Sequence, residues 1–276
     1  MSTSRTLQSH PPSADERDRD IHALGPWFHN LHLPDGRQTA PDHPLGDYPS
    51  YKWQALSARL PENLAGRTVL DVGCNAGFFA IELARRGARV TAIDHDPHYL
   101  RQATWAARQF GLSDRLRVRE GDVYGLAGDG ERYDIVLFLG VLYHLRYPLL
   151  GLDLAASRCA GTLCVQSLAT GSAAPGDIDT SDPGYLGRDR LREDAWPKLA
   201  FIEGELAGDP TNWWVPNPQG LRAMLRSTGF RVSAMAGDIH ICDRTHEADS
   251  AQRRLDGVLD RLRSTTTTSR ENDHVR

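Results

Sequence analysis

Cysteine is scarce. Four residues in 276 (Cys74, Cys159, Cys164 and Cys242) show no C-x-x-C spacing. That excludes a disulfide framework or a zinc site and points to reduced thiols in a cytoplasmic protein. Surplus positive charge is missing as well. A formal net charge of −4 gives no bulk attraction for nucleic acid, although a local basic face stays open. No apolar run reaches membrane-spanning length, no signal-peptide core stands at the polar N-terminus, and no internal repeat is evident. A membrane partner is therefore not expected. The length suits one α/β domain with extensions and ample core.

What is present is a strand–turn–helix corner. Residues 67–72 read as a buried strand, with apolar or β-branched side chains at 68, 69, 70 and 72. Residues 78–86 read as a helix stopped by Gly87. Between them lies Gly73-Cys74-Asn75-Ala76-Gly77. Glycine at 73 and 77 permits a sharp turn and close ligand approach. The spacing is not the G-x-G-x-x-G of a dinucleotide site. Asp71, two residues before the first glycine, disfavours a pyrophosphate and favours a cation. S-adenosylmethionine carries an ammonium and a sulfonium. The run Asp71-x-Gly73-Cys74-x-x-Gly77 resembles motif I of class I methyltransferases. Asn75 stands where that motif usually has glycine, and asparagine tolerates left-handed backbone angles.

The following elements repeat the pattern. Residues 88–93 predict a second strand ending at Asp94, whose carboxylate suits both ribose hydroxyls, with His95 beside it. The helix over 97–110 places Leu100, Ala103, Ala107 and Phe110 on one face. A third strand, 116–119, leads to Asp122 and Val123, which in the methyltransferase pattern meet the adenine. A fourth, 133–139, is apolar throughout and ends at Leu139. A helix over 148–160 and a fifth strand over 161–166 follow. Alternation of this kind predicts a Rossmann-like α/β fold: a seven-stranded, mostly parallel sheet with helices on both faces, closed by an antiparallel pair at 231–235 and 238–242. The cofactor set is then Asp71, Gly73, Asn75, Gly77, Asp94, His95, Asp122, Val123 and Leu139, with Lys52 from the arm described next.

Four regions are expected: a disordered leader over 1–20, a cap or substrate arm over 21–62, the methyltransferase domain over 63–245 with an insertion or lid at 168–215, and a C-terminal helix with a loose tail over 246–276. The arm is rich in aromatic and histidine side chains. Trp27, His29, His32 and Tyr51 are its candidate substrate residues, and its last helix is expected over 53–60. The helix over 246–263 either packs on the sheet or forms a homodimer contact. The last core helix is expected over 218–229.

A narrower resemblance rests on Gly25-Pro26-Trp27, Tyr51-Lys52-Trp53, motif I and Gly140-Val141-Leu142-Tyr143-His144. Together they resemble the carboxymethyltransferases of the tRNA wobble uridine, from about residue 25 to 242. Those proteins act on a 5-hydroxyuridine with a carboxylated S-adenosylmethionine. Asn212-Trp213-Trp214-Val215-Pro216 loosely matches their Asn-x-Tyr-Phe-x-Pro segment. Two departures matter. The family's lysine, which pairs with the extra carboxylate, is Leu24 here, and the arginine after Tyr-His is Leu145, with Arg146 matching the next one. The family also has no counterpart of residues 32–44. The resemblance therefore implies a scaffold with ordinary S-adenosylmethionine as cofactor, and leaves the acceptor open.

Methyl transfer is an in-line displacement that depends on positioning, and an oxygen or nitrogen acceptor must also lose a proton. His144, after strand four on the ligand edge, is the candidate base or orienting group, with His29, His32 and His240 in reserve. Tyr143 positions acceptor or cofactor, as its family counterpart does. Arg146, Trp213 and Trp214 complete the candidate substrate set. His240, Cys242 and His246 have poor spacing for a metal, and none is expected. Three functions follow: methylation of an oxygen on a small acidic or hydroxylated metabolite, tRNA wobble-uridine modification, or cofactor binding without catalysis.

Overall fold

The computed structural model of the chain describes residues 14–171 and 179–271. Helix α1 (Ala14–Ala23) and helix α2 (Ser50–Ser57) flank the arm. Then follow β1 (Thr68–Val72), α3 (Phe78–Arg85), β2 (Arg89–Asp94), α4 (Pro97–Gln109), β3 (Leu116–Glu120), β4 (Tyr133–Leu139), α5 (Pro148–Ser157) and β5 (Cys159–Gln166). The insertion contributes β6 (Leu199–Phe201) and β7 (Trp214–Pro216). Helix α6 (Pro218–Ser227), the hairpin β8 (Phe230–Ala236) and β9 (Ile239–Arg244), and α7 (Ala248–Glu271) complete the described chain.

The main sheet has seven strands in the order β3-β2-β1-β4-β5-β9-β8. The first five run parallel, and β9 is antiparallel to both β5 and β8. This is the expected architecture. Strand order reverses between β1 and β4, so their carboxyl ends flank the crevice where such sheets take ligands. The central strands are buried on both faces, and their side chains alternate between two cores. Val69, Val90 and Leu137 face the layer of α2, α3 and α4. Leu70, Val136 and Phe138 face the layer that includes Leu152 of α5, Leu225 of α6 and Leu255 of α7.

Four boundaries differ from expectation, each for a local reason. The leader is already helical from Ala14, because α1 is tied down. Arg17 donates to Gln109 Oε1 and Asp35 Oδ2, and the Trp105 indole donates to Asp20. Residues 1–13 of that leader lie outside the described chain. Helix α2 begins at Ser50, directly after Pro49, and ends at Ser57. Helix α5 stops at Ser157 because Cys159 already pairs with Tyr133 across β4 and β5. Helix α7 continues through Glu271, past the expected start of the loose tail; 272–276 lie outside the described chain.

The buried face of α4 is also displaced. It comprises Gln102, Ala103, Ala106 and Ala107, with Leu100 only partly covered. Gln102 is buried because its amide donates to the carbonyls of Leu24 and Pro26. A polar side chain thus fastens the arm to the domain, which hydrophobic periodicity alone does not reveal.

Candidate active site

The turn after β1 is built as its residues dictate. Gly73, Asn75 and Gly77 all adopt left-handed angles, with φ of 71°, 52° and 81°. At Gly73 a Cβ would also lie 2.6 Å from Val141 Cγ2, so only glycine fits. The amides of Gly73 and Cys74 both donate to the Ile93 carbonyl, at 2.8 and 3.0 Å. Asp94 Oδ2 accepts from the Asn75 amide at 2.8 Å, and its Oδ1 accepts from the Asp96 amide at 3.0 Å. One carboxylate therefore organises the turn and the start of α4 while remaining at the strand tip.

Asp71 is buried and its Oδ2 has no hydrogen-bond partner. Burial, reinforced by the nearby negative charge of Asp94, pushes its carboxyl up to about 7. A cation placed against Asp71 would favour its ionised form. An orphaned buried carboxylate oxygen beside a glycine that leaves no room for a side chain is what a cationic nucleoside requires.

Asp71, Gly73 and Leu139 form one wall of a cleft. The arm supplies the opposite side through His29, Tyr48 and Lys52. His29 is buried, and its Nδ1 also lacks a partner. Burial, with the charge of His43 adding to it, lowers its pKa to about 3, so the ring is neutral. Lys52 Nζ lies 2.8 Å from Asp238 Oδ2, in the β8–β9 turn, and Gln166 donates to the same oxygen at 3.0 Å.

The turn Leu142–His144 follows β4. His144 Nδ1 is 2.8 Å from Thr211 Oγ1, and burial lowers its pKa more than the neighbouring Asp209 raises it. The Tyr143 and His144 rings are 4.3 Å apart. The Tyr143 carbonyl accepts from the Trp213 amide at 2.8 Å, and the Trp214 indole donates to the Arg146 carbonyl. The Arg146 guanidinium lies 4.7 Å from the Trp213 ring centre and 5.4 Å from that of Phe201. His144, Tyr143, Arg146, Trp213 and Trp214 are thus brought together.

Other expected residues are dispersed. Asp122 is exposed, and its Oδ1 accepts from the Gly125 amide; Val123 beside it is buried. His95 is largely exposed, 3.6 Å from Asp94. Trp27 is spent on packing: its indole donates to the Ile21 carbonyl and its ring meets Trp105. His32 pairs with Asp47 and lines a separate cleft with Trp53 and Phe110. Tyr51 is exposed against Tyr48. His240 is buried on β9.

Sequence reading missed Tyr48 and Gln166 in the cleft, Asp238 bonded to its Lys52, and Asp209 and Thr211 beside His144. Gln166 was within reach, since it ends β5 on the same edge as Asp71 and Asp94. Asp209 carried no signal, because its partner lies far away in the chain.

Residues 69–157 match the family described as a methyltransferase domain. The chain is similar to a ubiquinone biosynthesis O-methyltransferase of Methylocella silvestris, 41% identical over 37% of this chain and 38% of that protein. It is also similar to a tRNA U34 carboxymethyltransferase of Marinobacter nauticus, 32% identical over 66% of this chain and 48% of that one. The chain thus spans less than half the length of each of these relatives. Among solved structures, the N-terminal domain of EvdMO1 with SAH bound has a TM-score of 0.57 at 22% identity, covering 85% of this chain and 96% of that one. Magnesium protoporphyrin IX methyltransferase from Synechocystis PCC 6803 with bound SAH has a TM-score of 0.52 at 19% identity, covering 84% and 95%. Those likenesses concern the fold, and the sequence match falls on the elements that build the strand-tip wall. The chain thus carries a methyltransferase domain over residues 69–157, on a fold that it shares with the solved methyltransferase structure.

Proposed function

We propose that the chain transfers a methyl group from S-adenosylmethionine to an oxygen of a small acidic or hydroxylated metabolite. The observation that carries this reading is the buried carboxylate of Asp71, whose unpartnered oxygen belongs to a cleft that the arm also lines, with buried Asp94 on the neighbouring strand tip. Asp71 and Asp94 would hold the cationic nucleoside, with Gly73 allowing its close approach. Bound there, the cofactor would supply an electrophilic methyl group. The chain's own part is to exclude water, orient the acceptor and take its proton. Arm and insertion cover the site, Tyr143 orients, and neutral His144 is the proton acceptor.

Plain methyl transfer is favoured because Leu24 stands where the tRNA carboxymethyltransferase pattern has lysine. The one cation among the residues lining the cleft, Lys52, is already paired with Asp238. Modification of a tRNA wobble uridine is the second reading. It is favoured by a 32% identity that runs over 66% of this chain. Calorimetry with S-adenosylhomocysteine tests the cofactor. Transfer of a labelled methyl group to a metabolite extract and, separately, to tRNA tests the acceptor. Label in acid-extractable small molecules supports the first reading; label confined to tRNA overturns it, and no binding heat overturns both.

A further inference from the structure

His144 sits in a hydrogen-bond chain whose direction is determined by donor chemistry. The Thr211 hydroxyl lies 2.6 Å from Asp209 Oδ1, and the Thr211 amide donates to the same oxygen at 2.7 Å. Burial raises the Asp209 carboxyl, but hydrogen bonds from Thr211, joined by His144 whenever its ring is protonated, outweigh it and hold the group below its ordinary value. It is therefore an ionised acceptor. The single hydroxyl proton of Thr211 is thereby committed to Asp209, at a distance typical of a charge-assisted bond. Thr211 Oγ1 has only lone pairs to offer His144 Nδ1 at 2.8 Å, so Nδ1 must carry the ring proton. Nε2 is then the bare nitrogen.

The backbone holds this chain in place. Leu206 and Asp209 exchange backbone hydrogen bonds across a two-residue turn in which Ala207 and Gly208 both have positive φ, the pattern of a type I′ turn. Two residues beyond Thr211, the Trp213 amide bonds the Tyr143 carbonyl. The insertion is thus sewn to the turn that carries His144.

We propose that Thr211 and Asp209 are positioning residues that fix His144 in the Nδ1–H form, so that Nε2 takes the proton of the methyl acceptor. This rests on the methyltransferase reading. In the proton step, the acceptor's O–H bond breaks and an Nε2–H bond forms. The resulting imidazolium keeps its Nδ1–H bond to Thr211, with Asp209 Oδ2 3.8 Å away as counter-charge. The proton then passes to water. A threonine hydroxyl between carboxylate and imidazole conveys orientation as a direct contact would.

The test is nitrogen-15 NMR of the imidazole at neutral pH, on the full chain without cofactor, with His144 assigned through His144→Gln. Wild type is expected to give the Nδ1–H pattern. Thr211→Val and Asp209→Asn should shift the tautomer ratio about tenfold toward Nε2–H, and Thr211→Ser should restore it. A wild-type Nε2–H ring, or a ratio unmoved in Thr211→Val, overturns the proposal. Because the ring is read without cofactor, that failure is distinct from absence of S-adenosylhomocysteine binding. A correct tautomer with no binding heat would instead remove the proton-transfer role assigned to it.

Discussion

The two sides of the cleft are constructed differently. The strand-tip side comes mainly from 24 consecutive residues, Asp71 to Asp94, with Leu139 of β4 beside them, and is held by backbone hydrogen bonds from Gly73, Cys74 and Asn75. The opposite side comes from the arm, and the turn after β4 and the insertion form a second cluster around His144. Long side-chain bonds join these parts, such as Lys52 to Asp238, Gln102 to Leu24 and His144 to Thr211. A site built from backbone tolerates little change and binds one kind of ligand. A site built from side chains on loops can change its acceptor while the sheet stays as it is.

Breaking the strand-tip side should have the largest effect. Asp94→Ala removes a ribose acceptor and strands the amides of Asn75 and Asp96. Calorimetry should show affinity for S-adenosylhomocysteine reduced at least about 100-fold; intact affinity would remove the basis of the cofactor assignment. Gly73→Ala comes next. Its Cβ would lie 2.6 Å from Val141 Cγ2 at a φ of +71°, and urea unfolding should register a loss of roughly 1–3 kcal/mol.

A third experiment compares the two sides through pH. The folded-state pKa of Asp71 is raised to about 7, so between pH 4 and 7 the native chain holds a proton that the unfolded chain has lost. Its contribution to stability falls as pH rises. The folded-state pKa of His29 is lowered to about 3, so between pH 3 and 6.5 the unfolded chain holds the extra proton, and stability rises with pH. From about pH 4 to 6.5 the two slopes oppose each other. Asp71→Asn should leave a stability that climbs with pH, and His29→Gln one that declines, each by up to about 1.4 kcal/mol per pH unit. Urea midpoints at several pH values check both signs. Matching slopes in the two variants would show that one of these groups does not titrate as its burial requires.

The same division governs what the sequence makes legible. The succession of strands and helices and the left-handed Asn75 follow from local rules: apolar runs, turn residues and one carboxylate at a strand tip. Gln102 and α1 are harder to read, because what buries them is a carbonyl or an indole dozens of positions away. Trp27 and His32 look like pocket residues in a linear aromatic stretch, yet one packs on Trp105 and the other pairs with Asp47. Asp209 and Thr211 sit in a polar, charged stretch that resembles a solvated loop. Only docking onto His144 gives them a role, and no periodicity records that event.

The smallest expected effect concerns the latch between the arm and the hairpin. Lys52 is mostly covered, but Asp238 is about half exposed, so water competes for the carboxylate and little net energy remains. A double-mutant cycle with Lys52→Met and Asp238→Asn should give a coupling of about 0.2–1 kcal/mol in urea unfolding, smaller in high salt. Repeating the cycle with saturating S-adenosylhomocysteine distinguishes two roles for Lys52. If the lysine only fastens the arm, the coupling persists. If it belongs to the cofactor set, a ligand carboxylate shares its charge and the coupling shrinks, while Lys52→Met weakens ligand binding. We expect the second outcome, because the ammonium lines the same cleft as the unpartnered oxygen of Asp71, and an amino-acid ligand presents a cation and an anion together. A coupling unchanged by ligand would assign Lys52 to the arm alone.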